Sequence, residues 1–281
     1  MLQHLIQPSF GYTSPVLVPG QYNLCVECGS NYLTILIFGA DKTLISLETY
    51  MLKEGVDVYT LEYILNTEKY KKELFSDVVL VSNSASISLV PQQFYKSHIS
   101  NSIHESIHGD QEDAVVCYDE VSQWELVNVY AVDKFIYDFL KSVFPQTRVF
   151  HLVSLSLISI FKNNLEDLDA FVKLYFTPNY LTIILIKGAQ LQYAQAVYYE
   201  TTEDAIYHIL NVFDKHAIDL TDIKALASGY IDEDAATWKE LRKYILDIDL
   251  EKTTDLVTED AEHSQVASHF FTPHLQVLQC V

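Results

Sequence analysis

Apolar residues along this chain fall into short alternating or continuous blocks separated by turn residues, and the blocks come in an order that repeats. Residues 22–26, 32–38 and 43–50 read as three strands, with Gly29-Ser30 and Gly39-Ala40-Asp41 as the turns between them. Residues 58–74 then switch to helical spacing through Val58, Leu61, Ile64 and Leu65. Residues 77–81 form a short buried strand. Residues 133–143 predict a helix with Phe135, Ile136, Phe139 and Leu140 inward, stopped by Pro145. A strand over 148–152 and a helix over 154–163 follow.

The second half repeats this order. Strands are predicted over 171–175, 180–186 and 191–199, turned at Pro178-Asn179 and Lys187-Gly188. A helix over 202–216 has Thr201 or Thr202 as its N-cap and Glu203 and Asp204 in its first turn, where acidic groups favour the helix dipole. A strand over 223–227, a helix over 233–244, a strand over 246–250 and a helix over 272–280 complete it. Each half therefore reads βββαβαβα.

The residues themselves echo the pattern. Asn31-Tyr32-Leu33-Thr34-Ile35 returns as Asn179-Tyr180-Leu181-Thr182-Ile183, an offset of 148. Ile64-Leu65-Asn66 returns as Ile209-Leu210-Asn211 at 145, and Leu80-Val81-Ser82-Asn83 is echoed by Leu226-Ala227-Ser228-Gly229 at 146. Three matches in chain order at nearly one offset indicate a duplication. The stretch from Ser84 to Asn128 has no counterpart. The expected organisation is a first lobe over 1–165 with an inserted subdomain at about 84–130, and a second lobe over 166–281.

Composition narrows the function. The chain has 281 residues, 49% of them hydrophobic, so it can bury a substantial core. Its 38 acidic side chains against 18 basic ones give a net charge of −20, which argues against nucleic acid or an anionic membrane as partner. No apolar run is long enough to span a bilayer and no signal peptide is evident, so a cytoplasmic location without membrane insertion is expected. Four cysteines are too sparse for a disulfide scaffold. Cys25 and Cys28 form a Cys-x-x-Cys inside a predicted strand, where residues three apart point to opposite faces, and are expected to be ordinary buried cysteines.

A tandem pair of such units is the architecture of the actin-like ATPase superfamily, shared by sugar kinases, actin and heat-shock chaperones. Within it, Leu89-Val90-Pro91 with Phe94, Phe144-Pro145, His151, Gly188 with Leu191, and Ser228-Gly229-Tyr230 carry a resemblance. The chain is similar to the compact pilus- and secretion-assembly members, PilM and the cytoplasmic part of the type II secretion L protein. It resembles more closely still a bacterial domain-of-unknown-function family of this length. The implied fold is α/β, a duplicated ribonuclease-H-like, two-lobe arrangement.

Nucleotide chemistry in that superfamily rests on three local devices. An Asp-x-Gly-Thr/Ser turn in the first lobe places a carboxylate near the metal and backbone N–H groups on the phosphates. Here it reads Glu27-Cys28-Gly29-Ser30, with a carboxylate one methylene longer. The matching turn of the second lobe is Tyr175-Phe176-Thr177-Pro178-Asn179, with no acid, no glycine and one N–H donor fewer. The third device, a Gly-Gly turn beside the adenosine, reads Ser228-Gly229-Tyr230. The resemblance thus implies at most a vestigial nucleotide cleft at Glu27, Gly29, Ser30 and Gly229. Those glycines are also expected to serve backbone φ.

One further string carries chemistry on its face. His104-Glu105-Ser106-Ile107-His108 matches the H-E-x-x-H zinc-protease signature, in which two histidines share a helix face and the glutamate is the base. Its polar flanks lack apolar periodicity, so the default expectation is a solvated loop. Lys69, Lys71 and Lys72 read as a solvated helix face, and Ser82, Ser84, Ser86 and Ser88 as one face of a strand or its exit. The resulting expectation is a non-catalytic actin-like protein that acts as a protein-interaction scaffold, with a protein partner and no resident cofactor. Two alternatives stay open: an ATP- and magnesium-binding or kinase-like enzyme with non-standard phosphate loops, and a zinc-dependent hydrolase at His104 and His108. Oligomeric state is not fixed by these residues.

Overall fold

The computed structural model of the protein describes residues 11–13, 18–53, 55–161, 170–251 and 268–270. Its contacts divide into two compact units, one within Met1–Ser154 and the other within Leu155–Asp255. The boundary expected at 165–166 and the helix expected over 272–280 lie outside the described residues.

The first unit opens with β1 (Gly11–Thr13), β2 (Tyr22–Cys28), β3 (Tyr32–Gly39), β4 (Leu44–Met51) and α1 (Val58–Leu65). β5 (Phe75–Ser82) follows, and β9 (Arg148–His151) completes a six-stranded sheet in the order β1-β4-β3-β2-β5-β9. Every residue of β3 is buried, as its continuous apolar run requires. α1 starts where the Asp57 carboxylate accepts the Thr60 N–H, and it stops at Leu65, short of the sequence expectation. Asn66 caps it, and 68–70 and 72–74 are separate 3₁₀ turns. Lys69 is consequently no solvated lysine: it reaches back to Glu48 and Ser46 on β4.

Between β5 and β9 lies a second, three-stranded sheet in the order β6-β8-β7, made by β6 (Ile87–Pro91), β7 (Ala114–Val121) and β8 (Leu126–Asp133). α2 (Ser100–His108) packs against it, and α3 (Lys134–Val143) leads out, capped by Asp133. The four serines expected on one face of a strand or its exit run from the end of β5 into β6. Ser82 ends β5, Ser84 and Ser86 lie in the connection, and Ser88 belongs to β6.

α4 (Leu152–Phe161) carries the chain across the division. The second unit holds β10 (Ala170–Phe176), β11 (Tyr180–Lys187), β12 (Gln190–Tyr198), α5 (Thr202–Lys215), β13 (Ile223–Gly229), α6 (Ala236–Tyr244) and β14 (Asp247–Leu250). Their sheet order is β12-β11-β10-β13-β14. Val172, Leu174 and Phe176 face a core completed by Ile206, Ile209 and Phe213 of α5 and Trp238 and Leu241 of α6. Burying a side chain of this size contributes about 1.5–3 kcal/mol. α5 begins in a capping box between Thr201 and Asp204. α6 begins three residues later than the sequence pattern suggests, because the Asp232 carboxylate captures the Asp234 and Ala235 N–H groups in a turn.

Pairing register shows the duplication in the backbone. Glu27 opposes Thr34 as Tyr175 opposes Thr182, both at an offset of 148. Asn83 N donates to Cys28 O as Tyr230 N donates to Phe176 O. A bulge falls between the Ile37 and Phe38 pairings of β3 with β4, and its counterpart falls between the Leu185 and Ile186 pairings of β11 with β12. For the parallel neighbour the register corrects the sequence match: Cys28 pairs Ser82 and Phe176 pairs Gly229, an offset of 147. Gly229 therefore corresponds to Ser82, and Tyr230 to Asn83.

Candidate functional site

The first candidate turn joins β2 to β3. Gly29 N donates to Tyr32 O at 3.0 Å, and Val56 N donates to Ser30 O at 3.1 Å, strapping the turn from outside. Ser30 is exposed, whereas Glu27 has no exposed surface. Glu27 Oε1 accepts the Tyr32 hydroxyl at 2.5 Å, and that hydroxyl accepts Asn83 Nδ2 at 2.6 Å. Asn83 is itself fixed through its backbone N–H on Cys28 O, 2.9 Å away. A Cβ on Gly29 would lie 2.0 Å from the Tyr32 ring. Glycine is needed here to admit that ring, not to reach a positive φ, which corrects the sequence reading. The turn closes on its own tyrosine. The carboxylate that would face a metal lies buried beneath a phenol, and the Tyr32 ring occupies the space beside Gly29 where a phosphate would approach.

The matching turn of the second unit is closed differently. Tyr175, the counterpart of Glu27, is 2% exposed, and its ring lies against Gly229. A Cβ at Gly229 would come 2.6 Å from that ring and 2.1 Å from Phe176 O, and φ there is +83°. Both space and backbone demand glycine. Thr177 is fully buried: its N–H and hydroxyl donate to Tyr180 O, and its own carbonyl accepts the Tyr199 hydroxyl at 2.7 Å.

The H-E-x-x-H string lies on α2, not in a solvated loop. His104 is 1% exposed, and its ring stacks on that of His108 with centroids 4.7 Å apart. Burial pushes the His104 pKa down, with His108 adding to the effect. His108 Nε2 lies 3.2 Å from Ser88 Oγ and 3.1 Å from Ile87 O, so its ring docks α2 on β6. Among the described residues, no three His, Cys, Asp or Glu side chains cluster as a metal would require. Cys25 and Cys28 are buried free thiols on β2, both pushed up by burial.

Two buried polar groupings escaped the sequence reading. In the first unit, Asp119 on β7 accepts the His151 N–H at 2.8 Å and the Tyr130 hydroxyl at 3.0 Å, tying the inserted sheet to the end of β9. Burial raises the Asp119 carboxyl to about 6 and lowers the His151 imidazole to about 3. In the second, Lys173 in the middle of β10 pairs with Glu251 at 2.9 Å, both buried. The signal for the latter was present: one lysine interrupts the otherwise uncharged strand AFVKLYF.

These geometries can be set beside known proteins. A model of the family described as protein of unknown function (DUF3822) matches residues 16–248. The chain belongs to this DUF3822 family. A Bacteroides thetaiotaomicron protein with actin-like ATPase fold and unknown function superposes with a TM-score of 0.76 at 17% identity, covering 94% of this chain and 97% of that one. PilM, from a PilM-PilN type IV pilus biogenesis complex, superposes with a TM-score of 0.60 at 13% identity over 94% and 99% of the two chains. The DUF3822 chain therefore has the actin-like ATPase fold. No curated protein sequence matches it. Among the described residues no helix is long and apolar enough to cross a membrane.

Proposed function

We propose that this DUF3822 protein is a non-catalytic member of the actin-like fold that works in the cytoplasm as a protein-interaction scaffold. One observation carries the reading: the Tyr32 ring fills the space above Gly29 while its hydroxyl holds the buried Glu27 carboxylate. Phosphoryl transfer depends on metal-held charge and a positioned phosphate, and this turn offers room for neither. The second turn, with Tyr175 against Gly229 and Pro178 in place of an N–H donor, points the same way. Support for an interaction role comes from PilM, which is known in a complex with PilN.

The test is thermal unfolding and hydrolysis with and without millimolar Mg-ATP, beside crosslinking in the native cell. The expected result is no magnesium-dependent shift, no hydrolysis above buffer, and a protein partner retained whether or not nucleotide is present. A magnesium-dependent shift, or a partner released by nucleotide depletion, would restore the ATP-binding reading.

A further inference from the structure

A cavity of about 390 Å³ opens within the first unit, between the β5–β6 connection and the end of the inserted sheet where α3 begins. Part of its wall is apolar, formed by Ala114, Ala131 and Val132 of β7 and β8. Another part is acidic. Asp113 and Asp133 both line the cavity, and the backbone holds them side by side: Ala114 pairs with Asp133, and the Lys134 N–H donates to Asp113 O at 2.9 Å.

Neither carboxylate is neutralised by its surroundings. Asp133 Oδ1 accepts the Ile136 N–H at 3.0 Å as the α3 cap, which leaves Oδ2. The Asp113 side chain has no hydrogen bond or ion pair among the described residues. Lys134, the cation next to Asp133 in the chain, is turned to Asp138 at 2.5 Å. No Lys, Arg or His is among the described residues that line the cavity. Ser84, from the β5–β6 connection, adds a hydroxyl oxygen that is buried with no hydrogen-bond partner among the described residues. A buried polar group left open costs free energy that a donor would recover. Two adjacent negative groups in a chain of net charge −20 carry a Coulomb cost that a bound cation removes.

We propose that this cavity binds a primary alkylammonium, with its –NH₃⁺ between Asp113 and Asp133 and its methylene chain along Ala114, Ala131 and Val132. An ammonium has three donors and no acceptor, which matches carboxylates that only accept. Its methylenes match the apolar wall, as lysine stems lie along apolar surface elsewhere. Size favours an organic cation over a metal ion. The volume falls among small-molecule sites, about 300–1,000 Å³, and a metal held by oxygen ligands at about 2.0–2.6 Å needs far less. A free diamine and the lysine side chain of a protein carry the same chemistry, so the inference is independent of the scaffold reading.

Isothermal titration calorimetry of the full chain at low salt reads the site, with cadaverine and, separately, Nα-acetyl-lysine methylamide as probes. Both are expected to bind at millimolar concentration or below, and the tighter of the two names the source, free diamine or protein side chain. Asp113→Asn and Asp133→Asn should each weaken binding about tenfold, because each removes a charge-assisted hydrogen bond. Asparagine also caps helices, so Asp133→Asn keeps the start of α3, and urea unfolding of both variants tells loss of the site from loss of the fold. Pentanol, an uncharged chain of the same length, should not bind. Silence from both amines, undiminished affinity in both folded variants, pentanol binding as well as cadaverine, or Mg²⁺ displacing cadaverine through the same two aspartates would each overturn the proposal.

Discussion

The β2-β3-β4 and β10-β11-β12 meanders share one pairing register and fill it with different side chains. Along one face, the first unit places Cys25, Glu27, Thr34 and Thr49 where the second places Lys173, Tyr175, Thr182 and Ala196. In the first, the buried Glu27 carboxylate accepts one hydrogen bond from a tyrosine hydroxyl that in turn accepts from an asparagine. In the second, a tyrosine stands at the position of the carboxylate, and the charge lies two residues earlier, in the Lys173–Glu251 pair. The tyrosines at the repeated position also part company. Tyr32 folds over its own turn, while Tyr180 packs edge-to-face on Tyr198, with centroids 5.9 Å apart. The difference teaches that one backbone register accommodates either a carboxylate or a tyrosine at this position, with an aromatic ring packed against a glycine in both units, Gly29 in the first and Gly229 in the second.

Four substitutions and conditions break or sharpen that comparison. The largest effect is expected from Gly229→Ala. It adds a methyl group 2.1 Å from Phe176 O at φ +83°, and should cost about 4 kcal/mol in urea unfolding. Gly29→Ala should cost less, since a ring is displaced there and not a carbonyl. Next, Lys173→Met leaves Glu251 buried without its cation and should cost about 3 kcal/mol, most of it regained when Glu251→Leu is added.

The third is a pH dependence confined to the first unit. The Asp119 carboxyl is raised to about 6 from 3.8, so the folded state holds that proton more tightly than the unfolded chain. Its contribution is fully present below pH 4 and lost as pH rises through 6, a change of about 3 kcal/mol at most. His151, lowered to about 3, acts with the opposite sign between pH 3 and 6.5, so the readout is the difference between wild type and Asp119→Asn. That difference should fall across pH 4 to 6 and stay level above 7. The smallest effect is expected from Tyr32→Phe, which removes the hydroxyl between Glu27 and Asn83 and should cost about 1–2 kcal/mol in thermal unfolding.

Much of this architecture was legible in the residues, because strand alternation and an offset near 148 are properties of the chain itself. The offset even mapped Glu27 onto Tyr175 correctly. It slipped by one residue at β5 and β13, since matching letters cannot see that pairing with β2 and β10 sets the register. The closed turn was not legible. Asn31-Tyr32 and Asn179-Tyr180 are the same letters, yet the ring directions differ, because they depend on what lies at 27 and 175. α2 was hidden for a similar reason: its polar sequence gives little periodicity, and the helix is held by His104 and His108 packed on the inserted sheet.

Tyr32, on the function proposed here, seals the Glu27 turn against metal and phosphate. Paramagnetic broadening tests it most directly: Mn²⁺ with ADP is titrated into ¹⁵N-labelled protein, and the Gly29 and Ser30 amide signals are followed. Both should keep their intensity relative to exposed amides elsewhere. Selective loss of those two signals would place a metal nucleotide at the turn and contradict the account.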